Sequence, residues 1–165
     1  MQIKINPNVH PSFSVTRGRS NVYERIANVF TESTSLIYIA CTADDMARMY
    51  NTSIPERIKL YKKTGGRVRL LIDTCDNDMV PLANQFGADE VMITKMPFKG
   101  RIFVQENMQA VISASMTGPT RIEDDDSIIH TTYHDIVSSM FSLCDHLWNA
   151  AKCDTKIILE RPVKN

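Results

Sequence analysis

Short, almost wholly apolar runs alternate along this chain with stretches in which apolar residues recur every three or four positions. Leu36-Ile37-Tyr38-Ile39-Ala40-Cys41 is the first such run, the pattern of a strand covered on both faces in a parallel sheet. Val68 to Asp73 and Glu90 to Thr94 repeat it. Ahead of the first run, Val22, Ile26, Val29 and Phe30 stand at helical spacing, with Ser20 placed to cap the helix. After it, Thr42 or Asp44 opens a second helical stretch. Asn51-Thr52-Ser53 and Pro55 split that stretch in two, before Ile58, Leu60 and Tyr61, and Gly65-Gly66 ends it. Asp78 to Phe86 reads as a short helix closed by Gly87.

Beyond the third strand the pattern changes. Pro97 and Gly100 bracket a turn into Arg101-Ile102-Phe103-Val104-Gln105, Asn107 turns the chain again, and Met108 to Ser113 returns as the second arm of an antiparallel hairpin. An acidic loop, Glu123 to Asp126, precedes a further strand at Ser127–Thr132. The closing helix, His134 to Ala151, carries Ile136, Val137, Met140, Phe141, Cys144, Leu147 and Trp148 along one face. Lys156 to Leu159 predicts a terminal strand. The Asn- and Pro-rich start holds at most a short strand at Ile3-Lys4-Ile5. Strand–helix alternation followed by a hairpin predicts an α/β fold with a mixed β-sheet sandwiched by helices. The expected division is an N-terminal arm at 1–15, one domain at 16–152 and a C-terminal tail or edge strand at 153–165.

Composition narrows the function classes. A chain of 165 residues is enough for one domain with its own core. Hydrophobic content of 43% and charged content of 23% exclude disordered and fibrous classes. Zero formal net charge argues against a chain that neutralises many phosphates at once, although a local basic patch is compatible with it. The start lacks signal-peptide character, no apolar run approaches a membrane span, and four cysteines occur without a C-x-x-C pair. The expectation is a cytoplasmic chain with no membrane association.

Thr16-Arg17-Gly18-Arg19-Ser20-Asn21-Val22, the lead Gly65-Gly66-Arg67-Val68-Arg69 into the second strand and the hairpin around Asn107 together resemble the phospholipase-D-like effector domains of TrmB-type archaeal transcription regulators. Asp126 to Thr132, followed by Phe141-Ser142-Leu143-Cys144-Asp145-His146-Leu147-Trp148, is similar to that family's final strand and closing helix. The resemblance runs from about Val15 to Ala151, and the order of these weak motifs carries it. It implies a phospholipase-D-like sensor that binds a small-molecule or anionic effector, forms a homodimer and signals to a DNA-binding partner or fused domain. The winged-helix module of such regulators has no counterpart here. The chain is then either a piece of a longer regulator or a free-standing sensor, and its initiating Met favours the second.

Active members of the phospholipase D superfamily carry H-x-K-x4-D, whose histidine attacks phosphorus while the lysine holds a phosphate oxygen. The stretch Lys99-Gly100-Arg101-Ile102-Phe103-Val104-Gln105-Glu106 places Lys at the nucleophile, Arg at the lysine and Glu at the aspartate. A lysine ordinarily titrates near ~10.4 and is protonated at neutral pH, so it does not attack. The resemblance thus implies a domain without catalytic residues. Its rivals are a phosphodiesterase or nuclease with an altered nucleophile and a protein-interaction scaffold.

Ligands of open α/β sheets gather at strand C-terminal ends. Cys41, Asp73 and Cys75 fall there. The two cysteines read either as a redox or soft-metal pair or as small buried residues without a role. Arg17 and Arg19 flank Gly18 before a helix and suit an anion or a salt bridge. Lys95, Lys99 and Arg101 form a small basic group that binds an anion or faces solvent. Ser113 and His130 complete the candidate set. His130, His134, Cys144, His146 and Cys153 match no zinc spacing, and Cys144 and His146 point to different helix faces, so no metal or cofactor is assigned. Asp124 to Asp126 lack EF-hand spacing and read as a solvated loop. Trp148 and Phe141 fit the core or a dimer seam.

Overall fold

The apolar run at Leu36 becomes the centre of the sheet because it alone has hydrogen-bonded neighbours of both kinds. The computed structural model describes residues 10–31, 33–74, 77–113 and 126–160, with backbone alone at 77 and 154–160. Strand β2 (Leu36–Thr42) pairs in parallel with β3 (Arg67–Asp73) and antiparallel with β5 (Arg101–Gln105). Outside β3 lies parallel β4 (Glu90–Thr94). On the other side, β6 (Gln109–Ser113) pairs with β5, β7 (Ser127–Thr131) with β6, and β1 (Phe13–Arg17) with β7, all antiparallel. The seven-stranded order is β1-β7-β6-β5-β2-β3-β4. A mixed sheet with helices on both faces is what the alternation predicts.

Period-two alternation sorts the strand residues onto two cores. Ile37, Ile39, Cys41, Val68, Leu70, Ile72 and Phe103 face α1 (Arg19–Ala27), α2 (Ala43–Tyr50), α3 (Ile54–Lys63) and α4 (Val80–Phe86). Tyr38, Ala40, Leu71, Ile102 and Val104 face the long α5 (His134–Glu160), which buries Val137, Cys144 and Trp148 against them. Tyr38 is fully enclosed there, its ring 5.1 Å from Phe141 and 6.1 Å from Trp148 and its hydroxyl donating to Asp145 at 2.7 Å. Trp148 is core, one of the two places that its spacing allows.

Three local expectations change. The cap of α1 is Gly18, not Ser20: Gly18 N–H still bonds the Asp126 carbonyl at 2.8 Å, and its φ of 86° turns the chain straight from strand into helix. Strand β1 carries no clear signal because Phe13 and Val15 are 55% and 56% exposed at the sheet edge, where burial does not enforce a pattern. Lys156 to Leu159 extend α5 instead of forming a strand, since a helix propagates through its own i to i−4 bonds whereas a strand needs a free edge beside it. The Ile3-Lys4-Ile5 expectation lies outside the described residues.

Other punctuation holds. Thr42 caps α2 by accepting the Asp45 N–H at 3.2 Å, Pro55 starts α3, and Gly87 closes α4 at φ 103°. Gly66 is required for closeness: a Cβ there would sit 2.2 Å from the Tyr61 ring, which is locked by a 2.5 Å hydrogen bond from its hydroxyl to the Ser35 carbonyl. Gly66→Ala is therefore expected to cost about 1–3 kcal/mol by overpacking. Denaturant unfolding should show the midpoint fall with an unchanged slope.

Candidate functional site

The strand directions bring one set of ends to a common rim. β1, β2, β3, β4 and β6 end there, and β5 and β7 begin there, so Arg17, Thr42, Asp73, Thr94, Arg101, Ser113 and Ser127 stand along one edge. The N-terminus of α2 opens on the same edge directly after β2.

At its centre Arg101 is completely buried. Its Nε and one terminal nitrogen donate to the two oxygens of Asp45, each at 2.7 Å. Its terminal nitrogens also donate to both oxygens of Asp126 at 3.2 Å. Arg19 approaches Asp126 at 3.9 Å, giving two cations against two carboxylates. Burial alone would lower the Arg101 pKa, but Asp45 and then Asp126 outweigh it and hold the value above its ordinary level. The Tyr23 hydroxyl donates to Asp45 at 3.1 Å, and burial followed by the Asp45 charge pushes its pKa up to about 12, so it stays a donor. The guanidinium also lies 5.4 Å over the Tyr23 ring.

Asp45 reaches this position because Thr42 caps the helix three residues earlier, and the first turn of a helix favours a carboxylate. Asp126 is held by its carbonyl to Gly18. The clamp thus ties β5 to α2 and to the β1–β7 edge. A second carboxylate organises the neighbouring loop: Asp73, also buried, accepts the Met96 N–H at 3.1 Å and the Lys99 ammonium at 2.6 Å.

No known protein-family model matches the chain, and no curated protein matches it by sequence. Solved structures do. The archaeal chromatin protein TrmBL2 is similar over 89% of this chain with a TM-score of 0.63 at 12% identity. This chain spans 55% of the TrmBL2 chain. Nuc, a phospholipase D family member from Salmonella typhimurium, is similar over 85% of this chain and 95% of its own, with a TM-score of 0.56 at 14% identity. The fold is phospholipase-D-like. NucT from Helicobacter pylori is similar over 85% of this chain and 97% of its own, with a TM-score of 0.60 at 8% identity.

Lys99, Arg101 and Glu106, the positions set beside H-x-K-x4-D, do not meet in one group. Lys99 and Arg101 lie at the rim but answer to different carboxylates, Asp73 and the Asp45–Asp126 pair. Glu106 sits in the hairpin turn at the other end of β5, exposed. The expected basic group facing solvent is corrected for Arg101, which is buried, whereas Lys95 is exposed and Lys99 half-exposed. The solvated-loop expectation is likewise corrected for Asp126, which is buried against Arg101; Asp124 and Asp125 lie outside the described residues.

The remaining candidates divide. Arg17 is exposed on the rim and its carbonyl accepts the Asn21 side chain at 3.1 Å. Ser113 donates to the Ser127 carbonyl at 2.7 Å, closing the β6–β7 end. Cys41 lies at the rim end of β2 but is fully enclosed in the apolar core, and burial pushes its thiol pKa well up, which suits the small-hydrophobe reading over a redox or metal role. Cys75 lies outside the described residues. Among the described residues no group of three or more His, Cys, Asp or Glu is placed to hold a metal ion. Sequence reasoning missed Asp45 and Tyr23. The signal for Asp45 was the Thr-x-x-Asp capping spacing at Thr42, and Tyr23 carried none.

His130 is not brought to the rim. It lies near the opposite end of β7, where Arg25 donates to its Nδ1 at 2.9 Å and its Nε2 meets the Gln109 side-chain oxygen at 2.9 Å. Gln109 donates to Gln105 at 2.8 Å, Gln105 to the Tyr61 hydroxyl at 3.4 Å, and Tyr61 to the Ser35 carbonyl. The donor direction along this relay assigns the neutral Nε2–H tautomer. Burial, followed by the Arg25 charge, holds the His130 pKa below its ordinary 6.5.

Two outcomes follow for stability. Asp126→Ala removes both its bonds to Arg101 and its contact with Arg19, and is expected to cost about 1.5–3 kcal/mol by equilibrium unfolding, with Asp126→Asn milder. For His130, the unfolded chain binds the proton more readily than the folded one. The stability it contributes is fully present above about pH 6.5 and is lost as the pH falls from there through the folded value. Unfolding midpoints measured between about pH 7 and 5 should decline for the native chain and decline less for His130→Gln.

Proposed function

We propose that this domain is a non-catalytic ligand-sensing or regulatory unit, which takes a small anionic effector at the rim and passes the signal to a DNA-binding partner or fused domain, in the manner of TrmB-type regulators. The observation that carries this reading is the clamp: the residue standing where a phosphate-holding lysine is expected, Arg101, is spent on Asp45 and Asp126 inside the protein. Lys99, standing for the nucleophile, is ion-paired to Asp73. Three further hydroxyl or thiol side chains of the rim are engaged too, Ser113 with a carbonyl, Thr42 with the α2 cap and Cys41 in the core. Among the described residues the rim offers Arg17, Lys95 and the outer part of Lys99 to solvent, together with the Asp44 carboxylate at the start of α2.

A regulatory role fits the likeness to TrmBL2, whose structure is described as showing a novel mode of DNA binding. Pairing of two copies and a cytoplasmic setting belong to the same proposal. The likeness to Nuc and NucT favours one second reading, a phosphodiesterase whose altered nucleophile acts through Lys99.

The purified chain is expected to leave bis(p-nitrophenyl) phosphate unhydrolysed. Hydrolysis abolished by Lys99→Ala would establish the enzyme reading, and hydrolysis that survives both Lys99→Ala and Arg101→Ala would refute the site assignment. In a thermal-shift series with sugars, nucleotides, phosphate, copper and zinc, an anion is expected to raise the melting temperature, since binding the native state alone stabilises it by mass action. That rise should shrink in Arg17→Ala and Lys95→Ala. A flat response across the whole series would favour a protein-interaction scaffold.

A further inference from the structure

The end of the sheet opposite the rim carries a feature that the rim reading does not use. Helix α3 runs from the rim to this end, and beside its last two turns lies a cleft of about 350 Å³. Phe30 and Tyr61, both buried and packed edge to face at 6.0 Å, form its floor. Thr31 and Thr64 also line it, the Thr64 hydroxyl donating to the Tyr61 carbonyl at 2.9 Å. Tyr61 cannot swing away, because its hydroxyl is tied to the Ser35 carbonyl and to Gln105, and Gly66 lies directly against its ring.

The cations of the cleft are placed regularly. Arg57, Leu60 and Lys63 are spaced i, i+3 and i+6, which sets them on one diagonal ridge of the helix with the two charges ~9 Å apart along the axis. Leu60, midway between them, is 55% exposed, an apolar side chain held in water. Other cations of α3 have acidic neighbours: Lys59 meets Glu56 at 3.2 Å and Lys62 meets Asp89 at 3.6 Å. Among the described residues, Arg57 and Lys63 meet none, and no described residue lining the cleft is acidic.

We infer that this cleft binds an elongated organic dianion: an apolar body laid over Leu60, Phe30 and Tyr61, with one acidic group reaching Arg57 and the other Lys63. The volume sits at the small end of ligand sites, which suits a one- or two-ring body. The charges select for anions, and the aromatic floor selects against inorganic ones. This site stands independently of the rim, so either can fail alone.

The test is titration calorimetry of the full chain with 2,6-naphthalenedicarboxylate, 2-naphthoate, 2-naphthol and inorganic phosphate at fixed ionic strength. The dicarboxylate should bind most tightly, the monocarboxylate about tenfold more weakly, the naphthol not measurably, and any phosphate binding should be untouched by Arg57→Ala and Lys63→Ala. Arg57→Ala and Lys63→Ala lie on an exposed helix face, where alanine keeps the helix. Each should reduce the dicarboxylate to the affinity of the monocarboxylate, while Lys99→Ala leaves it unchanged. Equal binding of naphthol would show an apolar cleft without charge selection, phosphate binding lost through Arg57→Ala or Lys63→Ala a cationic surface without aromatic selection, and loss of the dicarboxylate through Lys99→Ala binding at the rim. Any of these, or no binding at all, overturns the inference.

Discussion

A guanidinium taken wholly out of water must be neutralised where it lies, and the rim of this protein is arranged around that requirement. Burying Arg101 without partners would cost several kcal/mol. Asp45 meets it in bidentate geometry, Asp126 from the other side, and Tyr23 fills the remaining face with its ring and hydroxyl. Each partner is delivered by a different element: Asp45 by the capped start of α2, Asp126 by the lead into β7, Tyr23 by α1. The charge therefore fixes how three elements close over the end of β5. Geometry of this kind gives orientation more surely than net stability, because desolvation offsets much of the Coulombic gain.

Where the pattern enforces burial, the fold was legible in advance. Leu36 to Cys41 and Val68 to Asp73 read as buried strands and are, the hairpin turns at Asn107 with φ 60°, and the split between α2 and α3 falls where Asn51 to Pro55 predicts it. The misses share a cause. β1 is exposed at four of its five residues and has an unpaired edge among the described residues, so nothing constrains its residues to alternate clearly. Lys156 to Leu159 look like a strand by composition, but local β-propensity yields to the continuing helix.

The site was half legible. Arg17, Asp73, Lys99, Arg101 and Ser113 do gather on one edge, because strand direction brings residues distant in sequence to a common end. What sequence could not supply was which charges face inward. Arg101 and Lys99 are two positions apart and look alike on paper, yet one is enclosed and the other reaches water. Asp126 looked like one member of an acidic run and is the only described one, buried. His130 lay in the expected strand, but three residues from the rim end, in a relay of its own. A phospholipase-D-like sheet thus keeps its architecture while the charges at its strand ends are spent on one another.

The central claim is that Arg101 serves structure through Asp45. A double-mutant cycle on unfolding free energy with Asp45→Ala, Arg101→Met and the pair tests it most directly. The account predicts that each single substitution costs about 3–5 kcal/mol and that the pair costs far less than their sum, with a coupling of roughly 2 kcal/mol or more. Additive losses, with coupling near zero, would contradict it.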